Sequence, residues 1–342
     1  MFLLRLIKCG LILRTRFKAQ NYSNMNRHKT LARLAAVLFL TACTALPSSE
    51  EAEAPQSVTA AGALRINEIM YDPGSQGTEY VEIVNTADTA VDLADYRICV
   101  RKSTGALGAL RQLSQTSCPL QAGGYCVLTS DTALLSQSYS LPDYACRLSV
   151  KSFPALSNSG ATVVITSADS TVTDECAYLP AFHHPLLTDR QGVSLEKLHP
   201  MLPSGERESW ASASSDAGYA TPGTRNSQWR DLTGADSIAD GFYLPRKWLC
   251  PLNTDTSAYL PVIYHCRHSC NPMARMEILS RGGHTLATLA DNALLGADGC
   301  FKWYGTDDSG EMLEAGQYLL RALLFDTEGN VQTQRLTVTL LR

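Results

Sequence analysis

The sequence predicts an all-β protein, and three observations carry that expectation. Long helical periodicity is absent. Short apolar runs recur, punctuated by Gly, Asn, Asp and Ser. Hydrophobic residues make up 45% of the 342, enough for sizeable cores. The roughly 300 residues behind the leader suit two domains.

Residues 1–42 form a presequence. Residues 1–43 hold 8 Lys/Arg and no Asp/Glu. Met25 opens a compact signal and is the expected start: Arg27, Lys29 and Arg33 are its charged part, and Leu34–Leu40 its apolar part. That run is too short to span a bilayer. It ends in Leu40-Thr41-Ala42-Cys43, which resembles the bacterial lipobox. The resemblance implies cleavage before Cys43 and lipid on its sulfur, a stable membrane anchor. Residues 43–62 are the tether; Thr44–Val58 is small, polar, acidic and Pro-containing. Within it, Ser49-Glu50-Glu51 resembles the acidic export signal of Bacteroidetes surface lipoproteins. That implies an outer-membrane lipoprotein exposed at the cell surface. Without the presequence, 21 basic side chains face 33 acidic ones, a net charge of −12. Such a balance argues against nucleic acid as a partner.

The first domain is expected over residues 63–228. Its organising stretch is Ile66–Asn85, INEIMYDPGSQGTEYVEIVN: two strands around a turn at Asp72-Pro73-Gly74. Strict alternation puts Ile66, Glu68 and Met70 on one face, Asn67 and Ile69 on the other. Acid lies inside both strands, and a buried carboxylate needs a cation or hydrogen-bond donors. Strands follow at Tyr96–Val100, Tyr125–Leu128, Ala161–Thr166 and Val172–Tyr178. Asp131 N-caps one short helix, Asp131–Gln137. Then come Gly192-Val193-Ser194-Leu195-Glu196-Lys197, Trp210, and Thr221-Pro222-Gly223-Thr224-Arg225-Asn226. In this order the blocks resemble the lamin tail domain, over roughly 165 residues. The resemblance implies an Ig-like β-sandwich with no recognised catalytic role. The long insert around Lys102–Cys118 and Lys197 in place of an Arg depart from the family's pattern.

The second domain is expected over residues 229–342, with strands at Tyr259–His265, Arg275–Ile278, His284–Leu289, Leu319–Asp326 and Gln332–Leu341. Phe301-x-Trp303-x-Gly305-x-Asp307-x-x-Gly310 and Leu313-x-x-Gly316-x-Tyr318 resemble the Ig-like module of the flagellar hook-capping protein. The fold expected is therefore two Ig-like β-sandwiches behind a signal peptide and a flexible tether.

Few residues carry chemistry. Glu68, Asp72, Glu79 and Glu82 could hold a hard cation, serve the fold, or act as paired carboxylates in glycoside hydrolysis. The fold reading is favoured. His265-Cys266-Arg267-His268-Ser269-Cys270 has zinc-ligand residue types, but its spacing is too cramped for one tetrahedron. His183-His184 reads as surface. Nine cysteines follow Cys43, and an oxidising envelope permits disulfides such as Cys118–Cys146 or Cys99–Cys126, with none assigned. A nucleophile elbow and a phosphate-binding Gly-rich loop are missing from the sequence. The expectation is a non-enzymatic surface module, without cofactor, that binds protein or glycan. The alternative is an accessory, non-catalytic subunit of an extracellular hydrolase or secretion system.

Overall fold

The computed structural model describes residues 62–75, 77–234, 238–268 and 272–342. The presequence, Cys43 and nearly all of the tether lie outside them.

The first sandwich contains β1 (Leu64–Met70), β2 (Tyr80–Asn85), β3 (Val91–Asp92), β4 (Tyr96–Val100), β5 (Arg111–Gln112), β6 (Pro119–Leu120), β7 (Tyr125–Thr129), β8 (Cys146–Ser149), β9 (Ala161–Ser167), β10 (Val172–Tyr178), β11 (Leu195–Lys197) and β12 (Trp210–Ser212). The larger sheet runs β12-β11-β1-β2-β7-β8 and the smaller β10-β9-β4-β5. Ile66, Ile69, Val81, Ile83 and Leu128 meet Ile98, Val163, Ile165 and Tyr178 between them. Each such side chain contributes about 1.5–3 kcal/mol on burial.

Strict alternation does not hold in β1. A bulge shifts its register with β2 between Ile66 and Glu68. Ile66 and Ile69 therefore both enter the core, and Glu68 and Met70 share the opposite face. An extra residue in one strand re-aims everything after it. The outer face is itself covered. Met70, Tyr80 and Val127 pack against Ala220 and against Leu135 of helix α1 (Thr132–Ser138). Asp131 caps that helix, accepting from the Ala133 and Leu134 backbone amides at 2.9 and 3.0 Å.

The second sandwich contains β13 (Gly241–Tyr243), β14 (Trp248–Leu249), β15 (Leu260–His265), β16 (Met273–Leu279), β17 (Thr285–Leu294), β18 (Asp298–Trp303), β19 (Gly316–Phe325) and β20 (Val331–Leu340). Its sheets run β13-β15-β18 and β14-β20-β19-β16-β17. Trp303 fills the core, edge-on to Tyr318 with ring centroids 5.8 Å apart. Its indole nitrogen donates to the Thr306 carbonyl at 2.9 Å, so the buried polar handle is satisfied.

Backbone hydrogen bonds join the sandwiches. Ser215 N–H donates to Leu294 at 2.9 Å, and Ala297 N–H to Ser227 at 2.8 Å. The buried Gln228 amide donates to Ser212 on one side (2.8 Å) and Leu295 on the other (3.0 Å). Tyr264, in the second core, donates to Asp216 at 2.6 Å. Gly299 makes this approach possible: a Cβ there would lie 2.0 Å from Asp216 Oδ2 and 2.3 Å from the Tyr264 hydroxyl.

Candidate functional site

The structure separates the acidic residues of the opening hairpin into two pairs. Glu68 and Glu82 face each other across β1 and β2, and Glu196 of β11 faces Glu68 from the other side. Three adjacent strands thus set three carboxylates in a row, all fully buried.

The segment 221–228 lies over this row and supplies most of its donors, with Tyr80, Ser194 and Asn67 adding the rest. Glu68 Oε1 accepts from Thr221 N–H at 2.9 Å, Tyr80 O–H at 2.7 Å and Ser194 O–H at 2.5 Å. Glu82 accepts from Gly223 N–H at 2.5 Å and the Asn67 amide at 2.8 Å. Glu196 accepts from Thr221 O–H at 2.6 Å, Ser227 O–H at 2.7 Å and Gln228 N–H at 2.9 Å. Asn226 extends the clasp by donating to the Asn67 and Lys197 carbonyls at 3.0 and 2.8 Å. All these donors are neutral. Burial, with Glu196 beside it, therefore pushes Glu68 up to about 7. Glu82 and Glu196 are also raised, by burial first. Carboxylates sealed under a peptide segment and saturated by its donors act as fasteners.

Lys197 points the other way and is equally buried. Its ammonium donates to Ser204 Oγ at 2.5 Å, and Ser204 donates to Asp174 at 2.6 Å. Asp174 also accepts from Ile66 N–H at 2.7 Å and pairs with Arg65 at 3.3 Å. Burial lowers Lys197 to about 8. Glu196 and Lys197 thus tie opposite faces of one strand.

Asp72 and Glu79 lie elsewhere, lining an open cleft of about 530 Å³ with Asp131, Asn158 and Gln191. Glu79 is held by Leu156 N–H at 3.0 Å, and burial raises it. Among the described residues, no group of three or more His, Cys, Asp or Glu is arranged to hold a metal ion. In the His-Cys cluster, His265 meets Asp298 at 2.6 Å, His268 meets Asp240 at 3.0 Å, and Cys266 enters the second core. Cys270 lies outside the described residues.

His183 and His184 are not surface residues: each is only 2% exposed. His183 Nδ1 meets Ser212 Oγ at 2.9 Å, and its ring packs near Tyr71, centroids 5.5 Å apart. Burial drives His183 down to about 3, so it stays neutral. A turn folding back over β12 buries this pair, and dipeptide geometry does not reveal that.

Sequence reasoning also missed a cleft of about 670 Å³ between the sandwiches. Leu186, Asp189 and Tyr219 line it from the first, Met273, Asp291 and Phe325 from the second. Two lining residues, Tyr219 (φ +64) and Asn292 (φ +51), hold left-handed backbone without being glycine. Tyr219 is fixed there by backbone bonds of 2.9 Å from Ser194 N–H and to the Ser214 carbonyl. Such strain persists only where surrounding structure over-determines it, and it concentrates at binding sites. Clefts of this size at domain junctions are common ligand sites.

Curated protein sequences give no match to the chain. Among solved structures, it is similar to dimeric latent PorU from Porphyromonas gingivalis, at 11% identity over 84% of this chain and 21% of that one, TM-score 0.24. It is likewise similar to PorZ of the same organism, a surface component of the type-IX secretion system: 11% identity, 81% and 39% covered, TM-score 0.23. A tandem-repeat region of a large adhesion protein matches at 14% identity, 82% and 49% covered, TM-score 0.19. The chain thus spans about a fifth to a half of the solved structures it resembles. The stretch carrying β1 to β10, residues 57–180, matches the Lamin Tail Domain family, an Ig-like fold.

Proposed function

We propose that the protein is a non-catalytic lipoprotein of the outer membrane, held by lipid on Cys43. It displays its two sandwiches at the cell surface to bind a protein or glycan partner. The cleft between the sandwiches carries this reading. It combines apolar walls at Leu186, Met273 and Phe325 with carboxylates at Asp189 and Asp291. Hydrogen bonds at Gln228 and Tyr264 hold both walls, so a partner meets a preformed surface. The buried carboxylates favour a binding role over hydrolysis, because the clasp occupies their oxygens.

The test uses Leu186→Arg with Asp291→Lys, at two exposed cleft positions. Wild type and variant are compared for binding to an array of envelope glycans and for crosslinking to partners on intact cells. Binding that is lost in the variant supports the reading, and equal binding by both sinks it. Protease shaving of cells carrying wild type or Cys43→Ala tests the anchor: wild type should be membrane-bound and digested from outside, the variant released. A hydrolase or secretion component recovered through the cleft would favour the accessory-subunit role.

A further inference from the structure

Three cysteines of the first sandwich meet at one place. Cys126 and Cys146 occupy facing positions of the parallel strands β7 and β8. Neighbouring strands lie about 4.8 Å apart, a spacing a disulfide can bridge. Their sulfurs are in thiol–thiol contact at 2.7 Å. Cys118, at the end of the long insert, lies close enough to Cys146 for the two thiols to interact. Its position is fixed rather than casual. Cys118 N–H donates to Asp92 at 2.8 Å, and its carbonyl accepts from Leu93 N–H at 3.0 Å.

Exposure grades across the cluster. Cys126 is fully buried, while Cys146 and Cys118 are partly exposed. The hydrogen bond with Cys126 lowers the Cys146 thiol, and burial raises Cys126 and Cys118. The accessible central sulfur is therefore also the readier nucleophile. Of the other described cysteines of this sandwich, Cys176 is buried in the core and Cys99 is fully buried beside Ile98.

We propose that Cys118, Cys126 and Cys146 form a thiol–disulfide exchange site, with Cys126–Cys146 as its resting bond and Cys118 as the thiol that can replace Cys126. The oxidant is a disulfide-bearing molecule, protein or small. Cys146 thiolate attacks one of its sulfurs, forming a mixed disulfide and releasing one thiol. Cys126 thiolate then attacks Cys146 Sγ and expels the second. Two protein thiols become one disulfide, and one external disulfide becomes two thiols. In the exchange step Cys118 thiolate attacks Cys146 Sγ, the Cys126–Cys146 bond breaks, and Cys126 leaves as the thiolate. The bond pins β8, at the end of the larger sheet, to β7, and the exchange moves that tie to the insert.

The full chain is incubated with a reduced/oxidised glutathione buffer, alkylated under denaturing conditions, and mapped by non-reducing peptide mass spectrometry. The expected result is a dominant Cys126–Cys146 peptide with a minor Cys118–Cys146 species. In Cys118→Ser the minor species disappears. In Cys126→Ser, Cys118–Cys146 becomes the sole bond in the cluster. Reduction should lower the melting temperature of the wild type by about 6–12 °C, as for a closed loop of this length. Full alkylation of all three thiols overturns the proposal. So does a wild-type Cys126–Cys146 bond that never yields Cys118–Cys146, or a Cys126→Ser variant in which no Cys118–Cys146 bond forms.

Discussion

Glu68, Glu82 and Glu196 in the first sandwich are buried against neutral donors, whereas Glu277 in the second, 3% exposed, meets Arg275 and Arg321 reaching in from solvent. Those arginine side chains are 50% and 38% exposed. A carboxylate answered by an arginine makes a charge-assisted hydrogen bond with it. A carboxylate buried beside other carboxylates is pushed toward its protonated form even though amides and hydroxyls donate to it, and it holds the segment that supplies those donors. The first sandwich therefore uses acid to fasten segment 221–228 over its larger sheet. The second relies on Trp303, Tyr264 and aliphatic packing.

The largest break in this comparison comes from Glu196→Ala. It strands the Thr221 and Ser227 hydroxyls and the Gln228 amide. Loss of stability should reach about 3–5 kcal/mol by denaturant titration, because buried donors without acceptors carry their full desolvation cost. An unchanged midpoint would mean that the clasp is not held by its acids.

Acid and base should divide the sandwiches next. Glu68 is raised from 4.5 to about 7, so its contribution is complete below pH 4.5 and is lost as pH climbs to 7. At about 1.4 kcal/mol per unit, wild type minus Glu68→Gln should fall by about 2–4 kcal/mol between pH 4.5 and 8. His183 opposes this, losing stability as pH falls from 6.5 toward 3, but it cancels in the difference. In the second sandwich Asp255, Asp307 and Asp326 are lowered, so their contribution is present above pH 3.8 and is lost only in stronger acid. A flat difference curve for Glu68→Gln would remove the electrostatic part of the comparison.

Gly299→Ala should act on the junction and on the adjoining Tyr264 side of the second core. Its methyl group collides with Asp216 and Tyr264, at about 1–3 kcal/mol for overpacking. Calorimetry should then resolve two transitions where docking had merged them; a single unshifted transition would mean that the Asp216–Tyr264 contact does not set the docking. The smallest effect is expected from Asp131→Ala, which uncaps α1 and costs about 1 kcal/mol. Its readout is faster amide exchange at Ala133 and Leu134.

Much of the fold was legible because its signals are local. Period-two runs located β4, β9, β10, β19 and β20 to within a few residues, and Asp131 announced α1. The carboxylates were legible as unusual residues, and their arrangement was not. The bulge between Ile66 and Glu68 leaves no mark in composition. Glu196 and Lys197 read as a motif, without a sign that they serve opposite faces of one strand.

By itself the sequence determined the all-β class, the strands, the turns and the positions of the chemically expensive residues, because each depends on neighbours a few places away. Tertiary structure alone decided what those residues meet. Thr221 reaches Glu68 across 153 residues and Gly223 reaches Glu82 across 141. Cys146 found Cys126 through strand register, and the walls of the junction cleft come from two separate sandwiches. Pairings at that range are selected by the summed packing of whole sheets, and no local pattern encodes them.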